Sequence, residues 1–401
     1  MNAHQIYAKD YIGRVLGTHD LRGVEIPADL LQKVFSALTR QEEIITLDRD
    51  EWGNFDCQHS QAFRAGNHQR AWLDEMIIQA FPLIERKSIW PNNKPFALCL
   101  THDTDELGLH VHYSKLKREF TRVQDPNFAR RFLKGFISAG THLARSVNAA
   151  AKPETLRIEE WLKLEDKYGF KSTFHIFPQY VNNRHAWDCD YRYADKVVYQ
   201  QQLVPFATVM REVHKSGWEI GVHGSYESAF NADLLLAQKH QIEDVIKAEV
   251  ISTRQHYLHF AAQTTPSVQV QAGLKADSTL GFNRNIGFRA GASFPFRMWD
   301  HKNQVALDLL QIPMHIMDVS LFREDTLKLD EASAIAHAVQ LLDHVCALGG
   351  CLTLNWHTQL LHVPHMRRVY ETLLDEAARR GAWGCSMGEI LAWVKRNYVS
   401  V

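Results

Sequence analysis

FALCLTHDTD, at residues 96–105, is the stretch that decides the fold of this chain of 401 residues. Its first half is a continuous apolar run, which is typical of a parallel strand buried on both faces. Its second half carries His102, Asp103 and Asp105, polar side chains that are out of place on such a strand. Because sites in parallel α/β sheets and barrels assemble at the carboxyl ends of strands, the stretch predicts a strand that delivers two carboxylates to a functional edge.

Short apolar runs alternate with helical patterns from this stretch to the end of the chain. Further strands are predicted at residues 170–177, 218–223, 250–257, 285–290, 306–316 and 351–357. Helices are predicted at residues 154–168, 233–249, 331–348 and 364–380, and the last two run into glycines that favour helix ends. The alternation predicts an α/β fold, either a (β/α) barrel or a doubly wound sheet.

Three more of the predicted strands carry polar residues at or near their carboxyl ends. WEIGVH ends at His223 and is followed by a Gly-Ser turn and Glu227. STRQHY contains Arg254 and His256, and NWHTQ contains His357. Carboxylates, histidines and an arginine that converge at one edge supply metal ligands, a general base and a charge partner together.

The order and context of these motifs resemble the polysaccharide deacetylases, the NodB-homology or carbohydrate esterase family 4 group, from about residue 96 to the C-terminus. In that family a strand ending T-F-D-D provides a base aspartate and then a metal-binding aspartate. The sequence T-H-D-T-D matches it in the D-x-D form found in the wider superfamily. The resemblance implies a distorted (β/α) barrel of the NodB-homology type, with Asp103 as the base, Asp105 and His223 as metal ligands, Arg254 as the buttress of the base and His357 as the general acid.

The third metal ligand is where the sequence departs from the family pattern. The family has a second histidine four residues after the first, and that position is Glu227 here. A carboxylate is a legitimate ligand, so Glu227 is the predicted third ligand, with His175 as the alternative and loss of the metal as a third reading. The implied cofactor is a divalent ion, with zinc first and manganese or iron as alternatives.

Three residues are predicted to contact a carbohydrate substrate. Arg289 in GFRAG is a candidate clamp, or else a salt-bridged residue of the fold. Trp356 beside the predicted acid is a candidate platform for a sugar ring, although a tryptophan at a strand end is as often part of the core. His256 is the third candidate, with a structural hydrogen bond as its other reading.

The chain is predicted to divide into two parts. Residues 94–401 form the deacetylase-like barrel, and residues 1–93 form an N-terminal cap or small extension with helices near 28–40 and 68–80. Residues 106–153 form a helical insertion that is rich in lysine and arginine. This basic composition predicts either a peripheral contact with an anionic substrate or membrane surface, or simply a solvent-exposed helix face.

Composition narrows the class of partner. The formal net charge is −1, which argues against a nucleic-acid partner, and no apolar run approaches the ~20 residues of a transmembrane helix. The N-terminus shows no secretory pattern, which favours a cytoplasmic location.

The implied function is metal-dependent removal of an acyl group from an N-acylated sugar, in polysaccharide, lipid-linked or nucleotide-linked form, in surface polysaccharide biosynthesis. Such an enzyme is a hydrolase of carbon–nitrogen bonds other than peptide bonds. A hydrolase of the same fold acting on a non-sugar amide, and an inactive carbohydrate-binding member, are the alternatives.

Overall fold

The computed structural model describes residues 2–18, 20–107, 156–179 and 185–397. Its strands are β1 (Ala97–Thr104), β2 (Thr173–Ile176), β3 (Lys196–Tyr199), β4 (Gln202–Pro205), β5 (Glu219–Gly224), β6 (Ser252–Gln255), β7 (Ala276–Asp277), β8 (Phe296–Asp300), β9 (Val305–Gln311), β10 (Ile316–Met317), β11 (Cys351–Asn355) and β12 (Trp383–Cys385). The insertion predicted at residues 106–153 lies outside the described residues, except for its first two, so its predicted contacts stay predictions.

Helices surround the strands along the described chain. They are α1 (Ala3–Leu16), α2 (Ala28–Leu38), α3 (Gln41–Ile45), α4 (Gln61–Arg64), α5 (Trp72–Ala80), α6 (Ile158–Asp166), α7 (Phe206–Lys215), α8 (Ala232–Ile246), α9 (Thr265–Gln271), α10 (Asp318–Phe322), α11 (Glu331–Leu348), α12 (Pro364–Arg379) and α13 (Met387–Asn397). Helices α11 and α12 match the two predicted before glycines. No helix among the described residues combines the length and the apolar character needed to cross a membrane.

One curled sheet organises the barrel. Its strand order is β10-β11-β1-β2-β5-β6-β7-β9-β8, and β12 pairs with β1 as well. The neighbours along this order are parallel except for β8 and β9, which form an antiparallel pair. The prediction of an α/β, barrel-like fold is confirmed.

Two of the predicted strands differ from the structure. Residues 285–290 are not a strand: Gly287 adopts φ +130° and Phe288 donates its backbone N–H to the carbonyl of His68 at 2.7 Å. Their apolar pattern reflects burial without strand pairing. Residues 306–316 split into β9 and β10 around Pro313, which has no N–H to donate to a sheet.

The alternation of side chains along β1 explains why the carboxylates share a face. Leu98 and Leu100 belong to an apolar cluster with residues of α6, α11 and α12, whereas Ala97 and Cys99 belong to a second cluster on the other face of the strand. Because successive strand side chains point to opposite faces, Asp103 is in phase with Cys99. The D-x-D spacing therefore directs both carboxylates to the face that carries Cys99.

The N-terminal helices share the inner core with the sheet. Residues of α1, α2 and α5 are packed in one apolar cluster with residues of β8, β9 and α13. Asp74 on α5 accepts hydrogen bonds from the backbone N–H and the hydroxyl of Ser293, both at 2.7 Å. The boundary between residues 93 and 94 stays a prediction.

A buried ion cluster joins this N-terminal segment to the barrel. Both oxygens of the Glu43 carboxylate accept hydrogen bonds from Arg289 at 2.8 Å, and Arg40 donates to one of them at 2.9 Å. Burial alone raises the pKa of Glu43, but the charges of Arg289 and Arg40 outweigh burial and lower it to about 2.

Arg289→Met should lower the free energy of unfolding by about 3 kcal/mol, because it leaves a buried carboxylate with fewer partners. The control Arg284→Ala breaks a pair between a half-buried arginine and the exposed Glu51, and it should cost less than about 1 kcal/mol. Because folding depresses the pKa of Glu43, the stabilisation is present above its ordinary 4.5 and is lost as the pH falls towards 2. Urea unfolding at neutral and acid pH measures both effects, and equal losses in the two variants would contradict the assignment.

Candidate functional site

Asp103 lies at the carboxyl end of β1 and is buried. One oxygen accepts a hydrogen bond from Nη1 of Arg254 at 3.0 Å, and the other accepts from Nδ2 of Asn355 at 2.7 Å. Nδ1 of His175 is 3.2 Å from the first oxygen. Burial by itself raises the pKa of Asp103, but Arg254, His223 and His175 outweigh it and hold the pKa well below the ordinary value. The carboxylate is therefore ionised.

Arg254 is fully buried and is held from several directions. Its Nη1 also donates to the hydroxyl of Thr101 at 2.8 Å, and its Nε and Nη2 donate to the carbonyl and hydroxyl of Ser278 at 3.0 and 2.8 Å. Because every arm of the guanidinium has a fixed partner, its charge stays beside Asp103.

Asp105, His223 and His256 form a group whose ligand atoms all lie within 4.8 Å of one another. Oδ1 of Asp105 is 3.3 Å from Nε2 of His223 and 3.9 Å from Nε2 of His256. The parallel register of β5 and β6 pairs His223 with Arg254, which places His256 just beyond the end of the neighbouring strand. Three elements thus bring one carboxylate and two imidazoles to the same point.

The groups behind the two histidines, a hydrogen-bonded carbonyl for His223 and a nearby carboxylate for His256, fit a metal ion. Nδ1 of His223 is 2.8 Å from the carbonyl of Arg254, which can only accept, so this nitrogen carries a proton and, in the neutral imidazole, Nε2 has the lone pair. Nδ1 of His256 faces the carboxylate of Asp188 at 3.6 Å. Metal-binding histidines are oriented in this way by carbonyls and carboxylates. Ligands about 2.0–2.1 Å from a tetrahedral ion are about 3.4 Å apart, close to the separation of Asp105 and His223.

The predicted third ligand, Glu227, is not brought to this group. Its side chain is exposed on the short helical turn Tyr226–Phe230, which the hydroxyl of Ser228 closes by donating to the carbonyl of Ser225. The place beside Asp105 and His223 is taken by His256, which was predicted to contact substrate.

The alternative third ligand, His175, is a partner of Asp103 and does not belong to the group of possible metal ligands. It is buried, and burial lowers its pKa to about 4. His175 is therefore neutral near pH 7.

His357 faces the group from the end of β11. Its Nδ1 is 2.7 Å from Oδ1 of Asp318, its backbone N–H donates to the other oxygen of Asp318, and its Nε2 is 3.5 Å from Asp105. Burial lowers the pKa of His357, but the Asp318 carboxylate outweighs burial and raises it to about 10. The imidazole carries a proton at neutral pH, with Nε2 directed at the site.

Two solved structures share this architecture. A protein from Mycobacterium smegmatis assigned as a polysaccharide deacetylase has a TM-score of 0.50 and 19% identity over 78% of this chain and 94% of its own. The PuuE allantoinase also has a TM-score of 0.50, with 13% identity over 80% of this chain and 97% of its own. The chain therefore has the fold that these two proteins share. Residues 3–88 match a family of unknown function, DUF7033. No curated protein matches the sequence.

Two of the predicted substrate contacts are buried side chains. Trp356 is fully buried, with its ring 5.3 Å from that of Tyr370, so it has no face for a sugar. Arg289 is buried in its ion pair with Glu43. Trp356 is thus a core residue and Arg289 a salt-bridged residue of the fold, which were the alternatives to substrate contact for these two positions.

Asp318 and Asn355 are site residues that the sequence analysis did not single out. Asp318 directly follows β10, so it too is a polar residue at a strand end. It was missed because residues 306–316 were predicted as one strand, which hid the separate strand β10. Asn355 stands in the NWH motif itself, two residues before His357. Its register opposite Thr101 on β1 is what brings it to Asp103.

The revised ligand set makes a direct prediction. His256→Ala should lower the metal affinity at least about 10- to 100-fold, and with it the occupancy after dialysis, since it removes a nitrogen of the group and not only a supporting contact. Glu227→Ala, the matched control on an exposed side chain, should leave occupancy unchanged. Elemental analysis of both dialysed proteins measures the result, and metal loss in the Glu227 variant alone would restore the original assignment.

Proposed function

We propose that this protein is a metal-dependent hydrolase that removes the acyl group from an N-acylated sugar. The proposal is supported above all by one arrangement: an ionised carboxylate, a metal-binding group and a protonated imidazole meet at one edge of the sheet. Nε2 of His223 is 4.0 Å from Asp103, and Nε2 of His357 is 3.5 Å from Asp105. A candidate base and a candidate acid therefore both adjoin the metal-binding group.

Asp105, His223 and His256 would hold the ion. A divalent ion bound there supplies a Lewis acid that polarises an acyl carbonyl and lowers the pKa of a bound water to about 7. Zinc is the proposed ion because two imidazoles and a carboxylate are a common zinc set.

Asp103 acts as the general base and takes a proton from the attacking water. Arg254 and Asn355 orient its two oxygens, and Arg254 keeps the carboxylate ionised before the reaction. Because the carboxylate is fixed on both sides, its position does not have to be reorganised during proton transfer.

His357 acts as the general acid and donates the proton on Nε2 to the departing amine. An amine leaves poorly without a proton, so amide hydrolysis needs such a donor. Asp318 holds Nδ1 of His357 and stabilises the imidazolium, which keeps the proton available on the atom that faces the site.

Acetate release tests the proposal. The protein is freed of metal with a chelator, reloaded with zinc, manganese or iron, and assayed on N-acetyl sugar oligomers, lipid-linked N-acetyl sugars and nucleotide-linked N-acetyl sugars. Elemental analysis should find one ion per chain, and metal should restore activity on one of these classes.

Two outcomes would overturn the proposal in different ways. Hydrolysis of cyclic ureides such as allantoin without any release from sugars would establish the non-sugar amide reading. A folded protein that binds no metal but retains sugar binding would establish an inactive carbohydrate-binding member.

A further inference from the structure

The backbone that follows His256 adopts a conformation that its residues rarely take. Tyr257 has φ +56° and ψ +19°, and Leu258 has φ +51°. Neither residue is a glycine, and the left-handed region is unfavourable for other residues because the Cβ atom crowds the backbone. Two such residues in succession persist only where surrounding contacts hold them. Because they directly follow a residue of the metal-binding group, those contacts affect where the His256 imidazole points.

Two amide side chains hold this backbone at one carbonyl. Nδ2 of Asn54 donates to the carbonyl of Tyr257 at 2.9 Å, and Nδ2 of Asn283 donates to the same carbonyl at 3.0 Å. The other end of the Asn54 amide, Oδ1, accepts from the backbone N–H of Phe260 at 3.0 Å. Asn54 is buried, so bulk water does not compete for these bonds. One side chain thus spans the left-handed residues on both sides.

Asn54 is presented by a turn of the N-terminal segment, residues 50–54, that is closed by its own hydrogen bonds. Oδ1 of Asp50 accepts from the backbone N–H groups of Trp52 and Asn54, both at 2.9 Å. The backbone N–H of Asp50 donates to the carbonyl of Asn54 at 2.8 Å. The two residues that flank the turn form an antiparallel bridge. The amide of Asn54 is therefore held in place before it meets the barrel.

The same turn also reaches the segment that carries His223. The carbonyl of Trp52 accepts from the hydroxyl of Tyr226 at 2.9 Å, and Tyr226 lies two residues beyond the end of β5. Gly53 has φ +74°, and a Cβ atom there would lie 3.2 Å from the Tyr226 hydroxyl and 3.3 Å from Nε2 of His259. Glycine thus allows the turn to approach this closely. The turn contacts the segments that carry both imidazoles of the metal-binding group.

We propose that Asn54 is a positioning residue for the metal-binding group: it holds Tyr257 and Leu258 in the left-handed region and so directs the imidazole of His256 at the ion. The inference rests on the proposed metal site. Asn54 acts through the backbone and supplies no ligand atom, so its loss should weaken the site without removing a ligand. The N-terminal segment thereby takes part in the chemistry of the barrel.

Zinc affinity, measured by competition with a chromogenic chelator, tests the proposal without an assay of turnover. Asn54→Ala should weaken zinc binding about 10-fold, because it removes both bonds of the amide and leaves the backbone beside His256 less firmly held. Ser293→Ala is the matched control. It removes a buried hydrogen bond to Asp74 outside the metal-binding group and should keep the wild-type affinity.

A double-mutant cycle tests whether Asn54 acts through the left-handed backbone. Glycine adopts positive φ as readily as negative φ, so a glycine at position 257 does not need the amide to hold it there. Asn54→Ala should therefore cost less zinc affinity in a Tyr257→Gly background than in the wild-type background. Equal costs in the two backgrounds would overturn the positioning role, since an amide that only stabilises the fold does not distinguish them.

Hydrogen exchange on the wild-type protein keeps the test decisive even if Asn54→Ala fails to fold. If the Asn54 contact and the metal-binding group are coupled, zinc must stabilise the contact as much as the contact strengthens zinc binding. The N–H of Phe260, which donates to Asn54, should exchange more slowly with zinc than without it. The N–H of Ser293, which donates to Asp74, is the reference for general stabilisation. A Phe260 amide slowed no more than the Ser293 amide would overturn the coupling.

The remaining contrary results separate this inference from the proposed function. A wild-type protein that binds one zinc ion, with the same affinity in folded Asn54→Ala, overturns the positioning role and leaves the metal site standing. A loss in Ser293→Ala equal to that in Asn54→Ala also overturns it, because any buried hydrogen bond would then have the same effect. A wild-type protein that binds no divalent ion overturns the proposed metal site and this inference with it.

Discussion

Asp103→Asn should lower turnover by at least ~10²–10⁴-fold while metal content stays near one ion per chain, as expected when a general base is lost but the ligands remain. Asparagine keeps the shape of the side chain but has no basic oxygen. The variant also leaves the buried Arg254 without its charge partner, so folding must be measured alongside turnover.

The control for a buried carboxylate is Asp74→Asn. Asp74 is fully buried and hydrogen-bonded to Tyr11 and Ser293, outside the group of candidate site residues. It should lose stability and keep its turnover per folded molecule. Turnover retained in a folded, metal-loaded Asp103→Asn would remove Asp103 from the role of base.

His357→Ala should have the second large effect, and the effect should depend on the leaving group. Amide substrates should lose ~10²–10⁴-fold in turnover because the departing amine needs a proton. Activated aryl esters, whose leaving groups depart unprotonated, should lose far less. Parallel kinetics on an N-acetyl sugar and an aryl acetate measure the ratio.

Asp318→Asn tests the contribution of the Asp318 carboxylate separately from that of the proton donor, His357. It leaves the imidazole in place but removes the charge that stabilises its protonated form, so its loss on amides should fall between those of wild type and His357→Ala. Equal losses on amides and aryl esters in His357→Ala would indicate a structural role for His357 and would contradict the proposal.

The fold class and most of the strand-end residues could be predicted from the sequence alone. Buried parallel strands require continuous apolar runs, so a polar cluster at the end of such a run is visible without coordinates. That signal located Asp103, Asp105, His223 and His357, and the structure places all four around one point. Their chemical roles stay predictions until the variants are measured.

The structure decided the contacts that depend on distant parts of the chain. Counting four residues from His223 pointed to Glu227, but a short helical turn leaves that side chain exposed, and strand register brings His256 instead. Similarly, Arg289 pairs with Glu43, which lies 246 residues away in the sequence.

The physical reason is that local sequence encodes which face of an element is apolar, whereas ligand geometry depends on where separate elements end relative to one another. Asp318 reaches His357 only because β10 and β11 pair in one register, Met317 opposite Asn355. A shift of one residue would turn the side chains to the other face of the sheet. The sequence by itself therefore determined the α/β class and the edge that carries the candidate site, and the tertiary structure alone decided which side chains meet there.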